Sequence, residues 1–132
     1  MKKILLDTNA VTRFFAGDEK VLDALARADT VHISILVLGE LYAGFRAGKR
    51  EKQNNEFVSR LLQKPTAVVV DGTRETAEIF GQIKDGLRKS GNPIPINDIW
   101  IASQVFETGS VLITYDTHFK AIPGLRVWDG ID

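Results

Sequence analysis

Ile4-Leu5-Leu6-Asp7-Thr8-Asn9 decides the fold class of this 132-residue chain. Three apolar residues in a row suit a short strand buried on both faces, as in a parallel sheet. The run stops at a carboxylate, and Thr8 and Asn9 are good helix-capping residues. An apolar, aromatic helical stretch follows through Val11, Phe14 and Phe15 and ends at Gly17. A strand passing directly into a helix is half of a βαβ unit.

The same alternation continues along the chain. Asp18 to Ala28 carries Val21, Leu22 and Leu25 at helical spacing. Val31-His32-Ile33 reads as a second strand, and Ser34 caps a helix running through Leu38, Glu40, Leu41 and Phe45 towards Gly48. Lys52 to Gln63 is helical, Ala67-Val68-Val69-Val70 is a third strand, and Thr73 caps a helix that ends at Ser90-Gly91-Asn92-Pro93. Asp98 opens a helix closed by Gly109. Val111-Leu112-Ile113-Thr114 is the fourth strand, and Leu125-Arg126-Val127-Trp128 is expected to be a last one. The pattern predicts an α/β fold, a three-layer sandwich around a mostly parallel sheet of four to five strands. Residues 1–132 are read as a single domain.

Composition narrows the chemistry. Hydrophobic residues are 44% and charged residues 26%, which excludes a disordered chain. Cysteine is absent, which excludes disulfides, thiolate metal sites and cysteine nucleophiles. His32 and His118 are the only histidines, too few for a histidine-rich metal site. No phosphate-binding glycine loop or dinucleotide fingerprint follows the first strand. No apolar run approaches the roughly 20 residues of a membrane span or the roughly 7–15 of a secretory core. The chain is therefore expected to be cytoplasmic, with no membrane association.

Ligands in parallel α/β sheets bind beyond the carboxyl ends of the strands. Asp7 and Asp116 end strands, and Asp98 starts a helix that should face the same edge. Glu40 interrupts the apolar surroundings of Val37, Leu38, Leu41 and Tyr42, where an unpaired carboxylate is costly. Each has a plain structural alternative: a cap or turn for Asp7 and Asp116, a dipole-favoured helix start for Asp98, a solvated charge for Glu40. Together they point to one crevice. Two carboxylates about 5 Å apart repel by about 3 kcal/mol at an effective dielectric near 20. Relief comes from protonation or from a divalent cation. Oxygen donors select a hard ion, Mg²⁺ or Mn²⁺, and such a site suits phosphodiester hydrolysis by activated water.

These residues resemble the PIN-domain pattern. It is carried by Leu5-Leu6-Asp7-Thr8-Asn9, by Glu40 within Ser34 to Gly44, by Ile96-Asn97-Asp98 with Ile101-Ala102, and by Leu112 to Phe119. Their order and spacing are similar to those of VapC-like toxins of bacterial toxin–antitoxin pairs. The resemblance implies a metal-dependent endoribonuclease with catalytic, metal-holding Asp7, Glu40, Asp98 and Asp116. It also implies supporting roles for Thr8, Asn9 and Thr114, a homodimer, an RNA substrate and a cognate antitoxin. Thr8 is expected to cap the first helix, and Thr114 to hydrogen-bond a carboxylate. Some PIN domains carry one more acidic residue after the last Asp. Here Thr117-His118-Phe119-Lys120 follow, and His118 is read as a turn or surface residue before a substrate contact.

Lys and Arg number 17, as do Asp and Glu. Setting the four site carboxylates aside leaves 17 basic against 13 acidic groups, an excess of four positive charges. Arg46, Lys49 and Arg50 cluster beyond Glu40 and would share a face if their helix continued. They are candidate phosphate contacts; a solvated helix end is the alternative. Two other functions remain open to the sequence. One is a non-catalytic Mg²⁺-binding interaction module. The other is an aspartyl-phosphate phosphatase on Asp7, disfavoured because Asn9 stands where such enzymes carry a second Asp.

Overall fold

The computed structural model describes residues 3–131. Four strands, β1 (Lys3–Leu6), β2 (Thr30–Ser34), β3 (Ala67–Val70) and β4 (Val111–Ile113), form one sheet in the order β3-β2-β1-β4. Every pairing is parallel, with Leu5 opposite His32 on one side and Leu112 on the other. Successive residues of a strand face opposite sides of the sheet. Ile4, Leu5 and Leu6 are nevertheless all fully buried, so both faces of β1 are covered and the molecule has three layers.

The covering helices are α1 (Thr8–Phe15), α2 (Glu19–Arg27), α3 (Ile35–Ala47), α4 (Glu51–Gln63), α5 (Arg74–Ser90) and α6 (Ile96–Thr108). Local chemistry sets their ends. Asp18 and Ser34 accept backbone N–H bonds from Val21 and Leu36 at the starts of α2 and α3. Thr73 and Thr76 form a reciprocal cap on α5. Gly91 and Gly109 close α5 and α6 in left-handed conformations, φ 72° and 67°, that only glycine adopts freely.

The expected fifth strand is not formed. Leu125–Trp128 contributes one parallel bridge, Val127 to Leu112. Two backbone bonds, Leu112 N–H to Arg126 O and Trp128 N–H to Leu112 O, make up the contact. A 3-10 turn at Asp129–Ile131 then bends the chain away before a second rung can form. The sheet therefore has four strands. Another 3-10 turn, Thr117–Ala121, follows β4 and carries the fully buried Phe119.

Candidate active site

The carboxyl ends of β1 and β4 lie side by side, joined by the Asp7 N–H bond to Ile113 O. This register brings Asp7 and Asp116 to one edge. Asp98 sits in the first turn of α6 and Glu40 in the middle of α3. All four line one cleft of about 530 Å³, together with Thr8, Asn9 and His118. Four carboxylates spread over 110 positions of sequence thus share a single concave surface.

Asp7 is buried, at 4% exposure. Its Oδ1 accepts the Ala10 N–H and its Oδ2 the Thr114 hydroxyl. The first contact makes Asp7 the N-cap of α1. The expectation that Thr8 caps this helix is corrected. The extended backbone of Asp7 (φ −79°, ψ 175°) carries the cap one residue earlier, and Thr8 lies inside the first turn. Its hydroxyl donates to Glu40 Oε1 at 2.7 Å, linking α1 to α3. Asn9 is exposed at the cleft rim. The Thr114 hydroxyl oxygen also accepts the Asp116 N–H at 2.9 Å, so one buried hydroxyl connects two of the carboxylate-bearing residues.

Electrostatic crowding is evident. Burial pushes the Asp7 carboxyl up to about 6, and the Asp116 and Asp98 charges add to the rise; the Thr114 and Ala10 hydrogen bonds oppose it. Asp98 is also raised, first by burial and then by the charges of Glu40 and Asp116, against a lowering by His118. Gathering these anions disfavours their ionised forms, and a cation among them removes that penalty.

His118 is the site residue that sequence reasoning underrated. Its Nε2 lies 2.7 Å from Asp98 Oδ2 and its Nδ1 3.1 Å from Asp116 Oδ1. The ring is wedged between two carboxylates: the Asp116 contact is local to the turn, and the Asp98 contact ties the turn to the start of α6. The available signal was its place two residues after Asp116.

The donor set fits a divalent cation. One ligand atom each from Asp98, Asp116 and His118 lies within 4.8 Å of the other two. Each Asp7 oxygen accepts one hydrogen bond and keeps a second lone pair. The carboxylate oxygens that dominate this set suit a hard ion such as Mg²⁺ or Mn²⁺.

The basic cluster departs from expectation. Helix α3 stops at Ala47 because Gly48 turns to an extended conformation (φ −101°, ψ −168°). Arg46 therefore lies in the last turn of α3, while Lys49 and Arg50 lie in the link to α4, so the three do not share a helical face. All are exposed, and Arg46 Nε is 3.7 Å from Glu51 Oε2. Phe14 and Phe15 pack against the core and Tyr42 is exposed.

Comparison with known proteins agrees with this geometry. Residues 4–125 match the PIN domain. The chain is 31% identical to Ribonuclease VapC2 of Rickettsia felis, covering 95% of this chain and 97% of the relative. It is 30% identical to Ribonuclease VapC2 of Haemophilus influenzae, covering 96% of each. A solved structure of VapBC2 from Rickettsia felis, bound to a DNA fragment from the promoter, superposes with a TM-score of 0.85 at 25% identity over 96% of this chain and 97% of the other. The α/β fold, the acidic cleft and these likenesses agree, and the chain belongs to the PIN-domain family.

Proposed function

We propose that the protein is an endoribonuclease, the toxin of a toxin–antitoxin pair, that uses Asp7, Glu40, Asp98 and Asp116 to cleave RNA. The observation that carries this reading is the convergence of those carboxylates in one cleft at the carboxyl edge of the sheet. The ribonuclease names of its relatives support it.

Asp7, Asp98 and Asp116 are assigned to hold a divalent cation, Mg²⁺ or Mn²⁺. When bound, the ion neutralises charge on the scissile phosphate and acidifies water for in-line attack. Thr114 fixes the Asp7 carboxylate and the Asp116 backbone, so the anionic edge is rigid before substrate arrives. Glu40, held across the cleft by Thr8, is assigned to accept the proton released by the attacking water. Water attack leaves a 5′-phosphate and a 3′-hydroxyl and makes no use of the 2′-hydroxyl. Arg46, Lys49 and Arg50 contact phosphates beyond the cleft. The cognate antitoxin and a second copy of the chain are the protein partners, and the cytoplasm is the site of action.

Mapping the ends of cleaved RNA tests the mechanism. The expected products carry 5′-phosphates and disappear with Asp98→Asn. Products ending in a 2′,3′-cyclic phosphate would reject water attack. Cation binding with no RNA turnover would favour the non-catalytic interaction module instead.

A further inference from the structure

We propose that His118 is itself a ligand of the cation, through Nε2, beside Asp98. The proposal rests on the cation site of the function proposed above and deepens it.

The imidazole stands between two carboxylates, with Nε2 2.7 Å from Asp98 Oδ2 and Nδ1 3.1 Å from Asp116 Oδ1. A neutral imidazole carries one N–H. When Nδ1 donates to Asp116, Nε2 turns its lone pair towards Asp98 Oδ2. At that distance a positive centre serves both atoms, either a proton on Nε2 or a cation shared with Asp98 Oδ2. In an octahedral shell with bonds of about 2.1 Å, adjacent ligand atoms are about 3 Å apart. Nε2 and Oδ2 therefore need to part by only a few tenths of an ångström to share an Mg²⁺- or Mn²⁺-sized ion. Asp116 Oδ1 behind Nδ1 then sets the tautomer and ring orientation, the usual partner of a metal-bound histidine, and the other Asp116 oxygen is the one assigned to the ion.

The ring is held in place. Its turn is anchored by Phe119, fully buried and 4.9 Å from the imidazole centroid to centroid. The Ile122 N–H bond to Phe119 O closes the turn at 3.1 Å. One nitrogen in an otherwise oxygen shell moves the preference from Mg²⁺ towards Mn²⁺.

Pulsed electron paramagnetic resonance on the whole chain loaded with Mn²⁺ alone tests this without RNA. The wild type is expected to show echo modulation from one directly bound imidazole ¹⁴N. Labelling histidine with ¹⁵N should convert that modulation to the ¹⁵N pattern with no change to the fold. His32 sits mid-strand on β2 and does not line the cleft, so His32→Gln should retain the signal. His118→Asp should abolish it while keeping Mn²⁺ bound, and should lower the Mn²⁺-to-Mg²⁺ affinity ratio by calorimetry. Stoichiometric Mn²⁺ without nitrogen modulation in the wild type would overturn the assignment of His118 and leave the carboxylate site standing. Modulation that survives His118→Asp would also overturn it. A wild type that binds no Mn²⁺ would overturn both the ligand and the cation site.

Discussion

The Thr114 hydroxyl, one residue past the end of β4, donates to Asp7 Oδ2 at the end of β1. Threonine and aspartate are 107 residues apart in sequence. Parallel pairing of β1 with β4, Leu6 opposite Ile113, brings them together. Sheet register thus sets the position of the most buried carboxylate in the cleft.

Thr114→Val removes this donor and also leaves the Asp116 N–H without its acceptor. A buried polar group deprived of its partner costs about 1–3 kcal/mol, and urea unfolding should register a loss of that size. The lost bond is one that lowers the Asp7 pKa. Carboxyl NMR titration in EDTA should therefore find Asp7 titrating at higher pH than in the wild type.

Asp7 links stability to pH. Folding raises its pKa from 3.8 to about 6, so between these values the native chain binds more protons than the unfolded one. In EDTA, stability is then greatest below about pH 4 for this group and falls as pH rises towards 6 and beyond. The loss amounts to about 3 kcal/mol. Asp7→Asn keeps an N-cap oxygen and removes the charge. It should be inactive yet more stable than the wild type at pH 7.5 without metal, by up to about 3 kcal/mol in urea unfolding. Equal or lower stability would contradict the cost of burying the Asp7 charge, to which the neighbouring carboxylates add.

Arg46 and Lys49 lie outside the cleft on exposed backbone. If they contact phosphates, replacing both with Gln should reduce the slope of log binding constant against log salt by about 1.4 for single-stranded RNA. Binding of a catalytically silent Asp98→Asn chain, with and without the pair of substitutions, measures it. An unchanged slope would remove them from the RNA path.

Leu6 is fully buried between Ile33 and Ile113 in the middle of the sheet. Leu6→Ala should cost about 2–5 kcal/mol through lost burial and the cavity left behind. Its neighbour Asp7 would lose part of its positioning, so activity at 37 °C should fall with stability.

The parallel sheet was legible because Ile4–Leu6 and Val111–Ile113 are short apolar runs, and Val31 and Ile33 flank His32 in a third, β-branched stretch, all separated by amphipathic helices. The gathering of Asp7 and Asp116 followed from the rule that strand ends share an edge, and that of Asp98 from its place at a helix start; Glu40, in the middle of α3, was signalled by its apolar flanks. Single-residue conformations were not legible in the same way. Leu125–Trp128 has the composition of a strand, but one bridge and a turn at Asp129 limit it. Gly48 was visible as a helix stop, yet its effect on the Arg46–Arg50 cluster depends on one extended backbone angle. Thr8 and Asp7 are both competent caps, and only the backbone of Asp7 decides between them. His118 belongs to a 3-10 turn with no apolar period. Its carboxylate neighbours come from Asp98, 20 residues earlier, as well as from Asp116.

The most direct test of the cation-dependent cleft is RNA cleavage by the purified chain, freed of its antitoxin, in Mg²⁺, in EDTA, and after Mg²⁺ is returned in excess. Asp98→Asn is assayed beside it. The wild type should cleave in Mg²⁺, stop in EDTA and resume on add-back, while Asp98→Asn remains inactive throughout. Cleavage by both chains in EDTA would contradict the account.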